Sequence, residues 1–325
     1  MLFALAAAGL LLAAAPGARA QNQEVPPVSI TLYSGDPGSV TLGGWGGGRA
    51  EANTETVLVG SESIRVTTQG LYQGGLITFT QPINLAPAFA NPNTYLRMQV
   101  RFAPGGAGGT PTQEIFDPST GEVRRAAASP FDRMRFVLTM ADGSRHELIR
   151  PVEVKGTDEP DAWVYIAFPV QALLRKPAPP GATPAAGTAP AAEETVPAPA
   201  PAARALPTGD AARLSQLAIF GDRYQQFFIS DISVITDDTD INVDPLEEQV
   251  GFVGAALVFS ATAEGGASTL RYEWDLDGDK KTDRTGNTIQ HFWRKPGKYP
   301  VTVTVSDVDG LKKPASTSVT IDVAE

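Results

Sequence analysis

Four aspartates crowd one predicted turn near the C-terminus: Asp275, Asp277, Asp279 and Asp283. Carboxylate oxygens at alternate positions are ligands that suit Ca²⁺, and a cation would relieve their mutual repulsion. Lys280 and Lys281 lie in the same turn and could neutralise it instead. The sequence therefore leaves two interpretations open, a Ca²⁺ site and a turn held by its own hydrogen bonds.

A second acidic run lies upstream, where two predicted domains join: Asp237, Asp238, Asp240 and Asp244. Calcium could stiffen such a joint. A solvated linker is the other interpretation, because aspartate is mostly exposed in folded proteins.

Two aromatic residues sit in glycine-rich stretches and are candidate sugar-binding residues. Trp45 lies in residues 43–48, and Tyr72 lies in residues 70–75. An aromatic ring presented on a Gly-rich loop can stack against the apolar C–H face of a sugar, while nearby polar groups bond its hydroxyls. The alternative for Trp45 is a ring that folds back and fills one end of a sandwich.

A row of polar residues gives a further candidate surface. Arg97, Gln99 and Arg101 alternate with apolar residues along one predicted strand, and Arg133 and Arg135 do so along another. Side chains at alternate positions of a strand share a face, so these residues could line a concave binding face. A solvated face would show the same alternation.

Catalytic signatures are missing from the sequence. There are two histidines, His146 and His291, and no cysteine. No G-x-S-x-G, H-E-x-x-H or Walker sequence is present. A glycosidase built on two carboxylates would need them about 5–10 Å apart in a cleft, which no motif signals. The sequence predicts a protein that is not an enzyme.

The elements that must position these residues are strands. Val301, Val303 and Val305 alternate with hydroxyl residues, and a Pro-Gly turn precedes them at residues 296–297. Similar alternation recurs from residue 28 to residue 235, most clearly at residues 96–102 and 134–140. A helical period is confined to a short turn at residues 171–174. The sequence predicts an all-β protein.

The C-terminal region resembles the PKD (polycystic kidney disease) domain. Residues 274–279 read Trp-Asp-Leu-Asp-Gly-Asp, residues 296–301 read Pro-Gly-Lys-Tyr-Pro-Val, and residues 305–310 read Val-Ser-Asp-Val-Asp-Gly. His291 and Trp293 complete the pattern, although Trp293 stands where Tyr or Phe is usual. The resemblance implies an immunoglobulin-like β-sandwich that serves as a spacer or a binding unit, and a packing role for His291.

The N-terminal region resembles jelly-roll carbohydrate-binding modules of the galactose-binding-like type. The likeness rests on the Trp45 loop, on residues 60–64 (Gly-Ser-Glu-Ser-Ile), on residues 163–169 and on residues 227–232. Ser230 departs from the pattern, since an acid is common there. The resemblance implies a β-jelly-roll sandwich that binds a polysaccharide.

The expected organisation is a signal peptide at residues 1–20, a jelly-roll domain at 21–239 and a PKD domain at 240–325. Residues 2–15 are apolar but too short to span a bilayer, and residues 18–20 form an A-x-A cleavage site. Residues 176–207 are rich in Pro and Ala and are expected to be a disordered insertion within the first domain. A second disordered loop is expected at residues 104–129.

Charge and composition narrow the partners. The net charge of −10 argues against nucleic acid and anionic membranes, because both reward clustered Lys and Arg. With no cysteine there is no lipid anchor or disulfide. The predicted signal peptide therefore indicates a protein that is secreted, or held in the periplasm or at the cell surface, without membrane insertion after cleavage. The PKD resemblance implies a bacterial source. The predicted function is non-catalytic binding of a polysaccharide or cell-surface glycan. The alternative is a structural or adhesion protein that contacts other surface proteins.

Overall fold

The computed structural model describes residues 26–102, 130–156, 162–174 and 205–325, together with the backbone of residues 112–117 and 122–127. The predicted signal peptide lies outside the described residues. Residues 176–204, which make up most of the predicted Pro/Ala insertion, also lie outside them. None of the helices in the described part of the chain is long and apolar enough to cross a bilayer.

The prediction of an all-β protein is confirmed. The first domain is built from fourteen strands and one short helix in the described residues. In chain order these are β1 (Ser29–Tyr33), β2 (Val40–Trp45), β3 (Arg49–Asn53), β4 (Ser63–Thr68), β5 (Gly74–Asn84), α1 (Ala86–Ala90), β6 (Thr94–Phe102), β7 (Thr112–Asp117), β8 (Glu122–Ala127), β9 (Met134–Met140), β10 (Arg145–Arg150), β11 (Lys155–Gly156), β12 (Val164–Pro169), β13 (Arg213–Gly221) and β14 (Gln225–Thr236).

Two antiparallel sheets form the jelly-roll sandwich of this domain. The front sheet has the order β10-β9-β13-β5-β2, and the back sheet has the order β11-β12-β6-β14-β4-β3, with β1 also paired to β14. Apolar residues at alternate positions fill the space between the sheets, because successive side chains of a strand point to opposite faces. From β6 these are Leu96, Met98, Val100 and Phe102, which are fully or almost fully buried.

The second domain is a smaller sandwich with its own core. Its strands are β15 (Asn242–Val243), β16 (Val250–Phe252), β17 (Leu257–Ser260), β18 (Ala263–Glu264), β19 (Leu270–Asp275), β20 (Arg284–Thr285), β21 (Thr288–His291), β22 (Gly297–Asp307) and β23 (Ala315–Ala324). The main sheet has the order β16-β23-β22-β19-β20. Trp274 is fully buried in the core, and its Nε1 donates to the Gly286 carbonyl at 2.7 Å. This bond satisfies the indole without the disulfide that accompanies the core Trp in many immunoglobulin domains.

Two elements of the first domain were not expected. Strands β7 and β8 form a hairpin inside the stretch predicted as a disordered loop, so that prediction is wrong at these positions. The sequence does carry a turn signal between them, since Pro118 and Gly121 lie between the two strands. The helix α1 was also missed, because it is only 5 residues long and begins with a proline near its N-terminus.

A loop of the second domain docks on the first. Asp307 accepts hydrogen bonds from the backbone N–H groups of Asp309, Leu311 and Lys312. The loop held in this way presents two charged side chains across the joint. Asp309 forms an ion pair with Arg150 at 2.7 Å, and Lys312 Nζ donates to Asp237, to the Thr239 carbonyl and to the Gly265 carbonyl.

The joint also has an apolar part. Tyr95 and Ala167 of the back sheet pack against Ala267 of the second domain, and the Tyr95 hydroxyl hydrogen-bonds Ser268 Oγ at 2.7 Å. Burial raises the pKa of Tyr95 to about 12, so the hydroxyl stays protonated. The two domains are therefore joined by a desolvated contact with specific hydrogen bonds.

Candidate functional site

The outer surface of the front sheet, called here the front face, differs from an ordinary solvated sheet surface. It carries Trp45 from β2, Leu76 from β5, Val137 from β9, and Ala218 and Phe220 from β13, of which the last three are buried. Residues that point away from the sandwich core are buried only if other side chains cover them. Trp45 and Arg135 pack against Phe220, while Arg145 lies over the Trp45 ring and Tyr72 lies against Arg135.

Trp45 and Arg145 come from the two opposite edges of the front sheet. Strands β2 and β10 are separated by three strands, or roughly 19 Å along the sheet at about 4.8 Å per strand. The Arg145 guanidinium nevertheless lies 5.3 Å from the centre of the Trp45 ring. Contact over this span requires each side chain to extend from its edge strand toward the middle of the sheet, along the outer surface. The two side chains therefore cover part of the middle strands.

Trp45 is the last residue of a strand, whereas the sequence predicted a loop position for it. Its partner across the sheet is Gly74, and the turn that follows begins at Gly46, where φ is +64°. A side chain at Gly48 would collide with the backbone of Gly74, at 2.3 Å. The glycines are needed for this tight turn and close approach. The Trp45 ring lies edge-on against Phe220 at 5.7 Å instead of filling one end of the sandwich.

Tyr72 is the outermost member of a stack of three side chains. The Arg135 guanidinium lies 4.7 Å from the ring centre of the buried Phe220 and 4.7 Å from that of the exposed Tyr72. Tyr72 occupies the tight turn between β4 and β5, and its side chain is 65% exposed. One face of the tyrosine ring is therefore supported by a cation, and much of the remaining ring surface is open to solvent.

Glu147 orients the arginine in this stack. Arg135 donates from Nε and Nη2 to the two oxygens of Glu147, at 2.7 and 3.1 Å, and from Nη1 to the Leu71 carbonyl. The hydrogen bond from Arg135 outweighs partial burial and lowers the pKa of Glu147. The carboxylate is therefore ionised at neutral pH, and Arg135, only 7% exposed, has a fixed orientation.

The other predicted ligand-binding residues lie on the opposite side of the sandwich. Arg97, Gln99 and Arg101 point outward from β6, on the outer surface of the back sheet, called here the back face. Arg97 makes a long ion pair with Asp231 at 4.0 Å. The structure therefore unites Trp45, Tyr72 and Arg135 in one site and does not bring Arg97, Gln99 and Arg101 to it. Arg133 pairs with Asp222 through its backbone, at the end of the front sheet.

The acidic turn gathers three of its four aspartates. Asp275, Asp277 and Asp283 each place a carboxylate oxygen within 4.8 Å of the others. Asp279 is not part of this group, because it binds Lys281 through both the backbone N–H and Nζ. Asp275 already accepts hydrogen bonds from three backbone N–H groups of the turn: those of Asp277, Gly278 and Lys280. Calcium binding stays a prediction, now centred on three carboxylates.

The second acidic run is not a solvated linker at Asp237. Burial by itself would raise the pKa of Asp237, but hydrogen bonds from Thr239, the Ala267 N–H and Lys312 Nζ together lower it. Both Asp237 and Lys312 are 9% exposed. Lys312, which is distant in the sequence, therefore neutralises Asp237. The interpretation from sequence had considered calcium for this position.

Three front-face residues were not identified from the sequence: Arg145, Glu147 and Phe220. Strands β9 and β10 form a hairpin around the Asp142-Gly143 turn, and period-two alternation places Arg145 and Glu147 of β10 on one face with Arg135 of β9. That signal was available. Phe220 gave no signal, because a phenylalanine in an apolar strand looks like a core residue.

Comparison with known families identifies the second domain. Residues 244–323 match the family model of the PKD domain. The C-terminal sandwich is a PKD domain. The prediction made from the motifs at residues 274–310 is thus confirmed, and the PKD domain is the unit whose Asp307 loop docks on the first domain. Among curated proteins, no sequence matches the chain at a significant level.

Three similar solved structures are remote in sequence. A β-1,2-glucanase from Parabacteroides distasonis aligns with 91% of this chain at 11% identity and a TM-score of 0.33, and the chain spans 38% of the glucanase's length. The family 30 carbohydrate-binding module of a cellulosomal cellulase of Clostridium thermocellum aligns over 65% of this chain and 99% of its own, at 9% identity and a TM-score of 0.35. Another family 30 carbohydrate-binding module aligns over the same fractions of the two chains, at 11% identity and a TM-score of 0.33. Likeness at this level carries no information about a ligand.

Proposed function

We propose that this chain is an exported, non-catalytic protein that binds a polysaccharide or cell-surface glycan through the front face. The observation that carries the proposal is the Phe220–Arg135–Tyr72 stack, which holds an exposed aromatic ring in a fixed orientation. A ring fixed before binding loses little conformational entropy when a ligand stacks on it. Trp45 provides a second ring on the same face.

The polar groups around the rings suit a ligand with many hydroxyls. Arg145 and Glu147 are exposed on β10, and Gln216 and Thr78 hydrogen-bond each other on neighbouring strands of the front face. Guanidinium groups donate, carboxylates accept, and amide or hydroxyl side chains do both. A sugar can use all of these partners, with its C–H face on an aromatic ring.

The proposal that binding occurs without catalysis draws support from Glu147. A glycosidase needs one carboxylic acid that is protonated at working pH, with a second carboxylate beside it. The pKa of Glu147 is shifted in the opposite direction by Arg135. Its two oxygens are engaged with the same guanidinium, so its structural role is to orient Arg135.

Export is proposed from the sequence. An apolar segment at residues 2–15 is followed by an A-x-A site, and the chain has no cysteine that would need a reducing compartment. Sizing the protein recovered from the extracellular and periplasmic fractions of the producing cells tests this proposal. A mature N-terminus at Gln21 is the expected result, and retention of residues 1–20 in the cytoplasm would contradict it.

The binding proposal is tested with the mature chain and a panel of soluble and insoluble polysaccharides, with calcium and with a chelator. We expect retention on at least one glycan, and a large drop in that retention in the Trp45→Ala, Tyr72→Ala double variant. Phe252→Ala, which removes an exposed ring from the PKD domain, is the matched control. Retention that is unchanged in the double variant would reject the front face as the site. No retention of the wild type would favour the structural alternative.

A further inference from the structure

The PKD domain carries an open groove that its predicted spacer role does not use. Two cavities of about 440 and 400 Å³ lie side by side on its surface and share Arg284, His291 and Trp293. Each volume falls within the range of about 300–1,000 Å³ found for ligand pockets. Phe292 and Arg294 line one cavity, and further residues line the other: Leu276, Asp277, Asp283 and Tyr299.

Trp293 has an unsatisfied hydrogen-bond donor. Its side chain is only 6% exposed, and Nε1 has no acceptor among the described residues. Trp274 of the same core shows the usual arrangement, with its Nε1 bonded to a carbonyl at 2.7 Å. Leaving a buried N–H unpaired is costly, so such a group in a residue that lines two cavities needs an explanation. Nε1 itself is buried, so an acceptor supplied by a ligand would provide the explanation only when a neighbouring ring moves aside.

Rings surround this donor. Tyr299 stacks on Trp293 at 5.0 Å with an interplanar angle of 25°, and His291 meets the same indole edge-on at 4.7 Å. Phe292 is 47% exposed, with the Arg294 guanidinium 5.9 Å from its centre. The Tyr299 hydroxyl bonds the Lys295 carbonyl, which fixes that ring at one side of the groove.

The charged groups are of both signs. Arg284 and Arg294 bring guanidinium donors, while Asp277 and Asp283 bring carboxylate acceptors. A simple anion or cation would meet groups of its own sign at one part of this groove. A hydroxyl group both donates and accepts, so a ligand rich in hydroxyls can bond to every part of it. The exposed ring favours a ligand that also has an apolar face.

We propose that this groove is a second saccharide-binding site, with Phe292 as the stacking ring and the Trp293 N–H as a donor to a sugar oxygen. This proposal rests on the proposed function for its class of ligand, a saccharide, and adds a second site for it. Because the domains are docked through Asp237, Lys312 and Arg150, the two sites have a fixed spacing. Two sites linked in this way raise the apparent affinity for a long glycan.

The indole N–H signals of the mature, ¹⁵N-labelled chain provide the test. The sequence has four tryptophans, and Trp293→Phe assigns the relevant signal while keeping a ring in the core. The probes are cellohexaose, laminarihexaose, xylohexaose and mannohexaose, each titrated to millimolar concentration. Titration of the Trp45→Ala, Tyr72→Ala double variant, which lacks the front-face rings, isolates the groove and separates failure of this proposal from failure of the front face.

We expect at least one probe to shift the Trp293 signal in that double variant, while the Trp274 signal stays in place. Adding Phe292→Ala should weaken the titration by about fivefold, because a stacking ring is lost. Adding Phe252→Ala, at an exposed ring outside the groove, should leave it unchanged. The proposal is overturned if no probe shifts the Trp293 signal, or if Phe292→Ala and Arg284→Ala leave the titration as it was.

Discussion

The front face and the back face belong to one sandwich and have the same alternation of apolar and polar residues, yet they present different surfaces. On the front face, Arg135 is only 7% exposed and lies between two rings. On the back face, Arg97 is 38% exposed and makes a 4.0 Å ion pair. An exposed ion pair of this length contributes little to stability. The same residue type is thus nearly buried beside two aromatic rings on one face and partly exposed in a weak ion pair on the other.

The back face is also partly closed. Its end, at Tyr95, Ala167 and Ile235, contacts Ala267 of the PKD domain. No other domain of the described chain is seen to cover the front face. The comparison teaches that a jelly-roll domain can use one outer surface for docking and leave the other uncovered within the described residues, where we propose that the glycan binds. The predictions below test this division, beginning with the contact that closes the back face.

The largest effect is expected for Lys312→Met. This change leaves the buried Asp237 carboxylate without its cation, and breaking a buried pair costs about 3–5 kcal/mol. We expect the free energy of unfolding to fall by an amount near the lower end of that range, measured by urea denaturation. Glycan retention through the front face should persist at a temperature where the variant is folded. Lys313→Met, at the next position, is the control and should have little effect.

Tyr72→Ala should weaken glycan binding by about 30-fold, which corresponds to the loss of roughly 2 kcal/mol at a binding hot spot. Isothermal titration with the glycan retained by the wild type measures the change. Arg101→Ala, on the back face, should alter the affinity by less than about twofold. Equal losses in the two variants would show that the ligand does not distinguish the two faces.

Arg135→Lys should weaken binding by about tenfold while the protein stays folded. Lysine keeps the charge but cannot bond both oxygens of Glu147 or lie flat between two rings, so Tyr72 loses its support. The measurement is the same titration, accompanied by a thermal melt. On the back face, Arg97→Lys should change neither quantity measurably. A strong destabilisation by Arg135→Lys without loss of affinity would assign the stack a purely structural role.

The smallest effect concerns pH. The folded-state pKa of Asp237 is lowered, so its contribution to stability is present above the unfolded pKa of about 3.9 and is lost as the pH falls through the lower folded value. Asp237→Asn should therefore be less stable than the wild type at pH 7, and the gap should narrow as the pH falls below about 4. Denaturation curves at several pH values measure the gap. In the Lys312→Met background, the gap at pH 7 should be smaller, because much of the stabilisation of the charge is gone.

Local pattern was sufficient to predict regular strands such as β6, β9 and β22, and the PKD domain, although it missed β7 and β8. Residues 301–305 alternate with a period of two, and the turn motifs at 274–279 and 305–310 depend on neighbours in the sequence. The Asp307 carboxylate illustrates this well, because the backbone N–H groups that donate to it lie within five residues of it. Sequence order alone therefore determined this loop. Trp45 and Tyr72 were also chosen from sequence, on ring chemistry and glycine-rich surroundings.

Only the tertiary structure decided which of these residues share a surface. Arg97 and Arg135 have the same strand pattern, but β6 belongs to the back sheet and β9 to the front sheet. Strand order in a sandwich depends on hydrogen bonding between distant segments, which alternation along one strand cannot encode. Likewise, the charge of Asp237 is balanced by Lys312, 75 positions away. The sequence by itself determined the strands and turns, and long-range pairing determined the stack, the docked joint and the groove around Trp293.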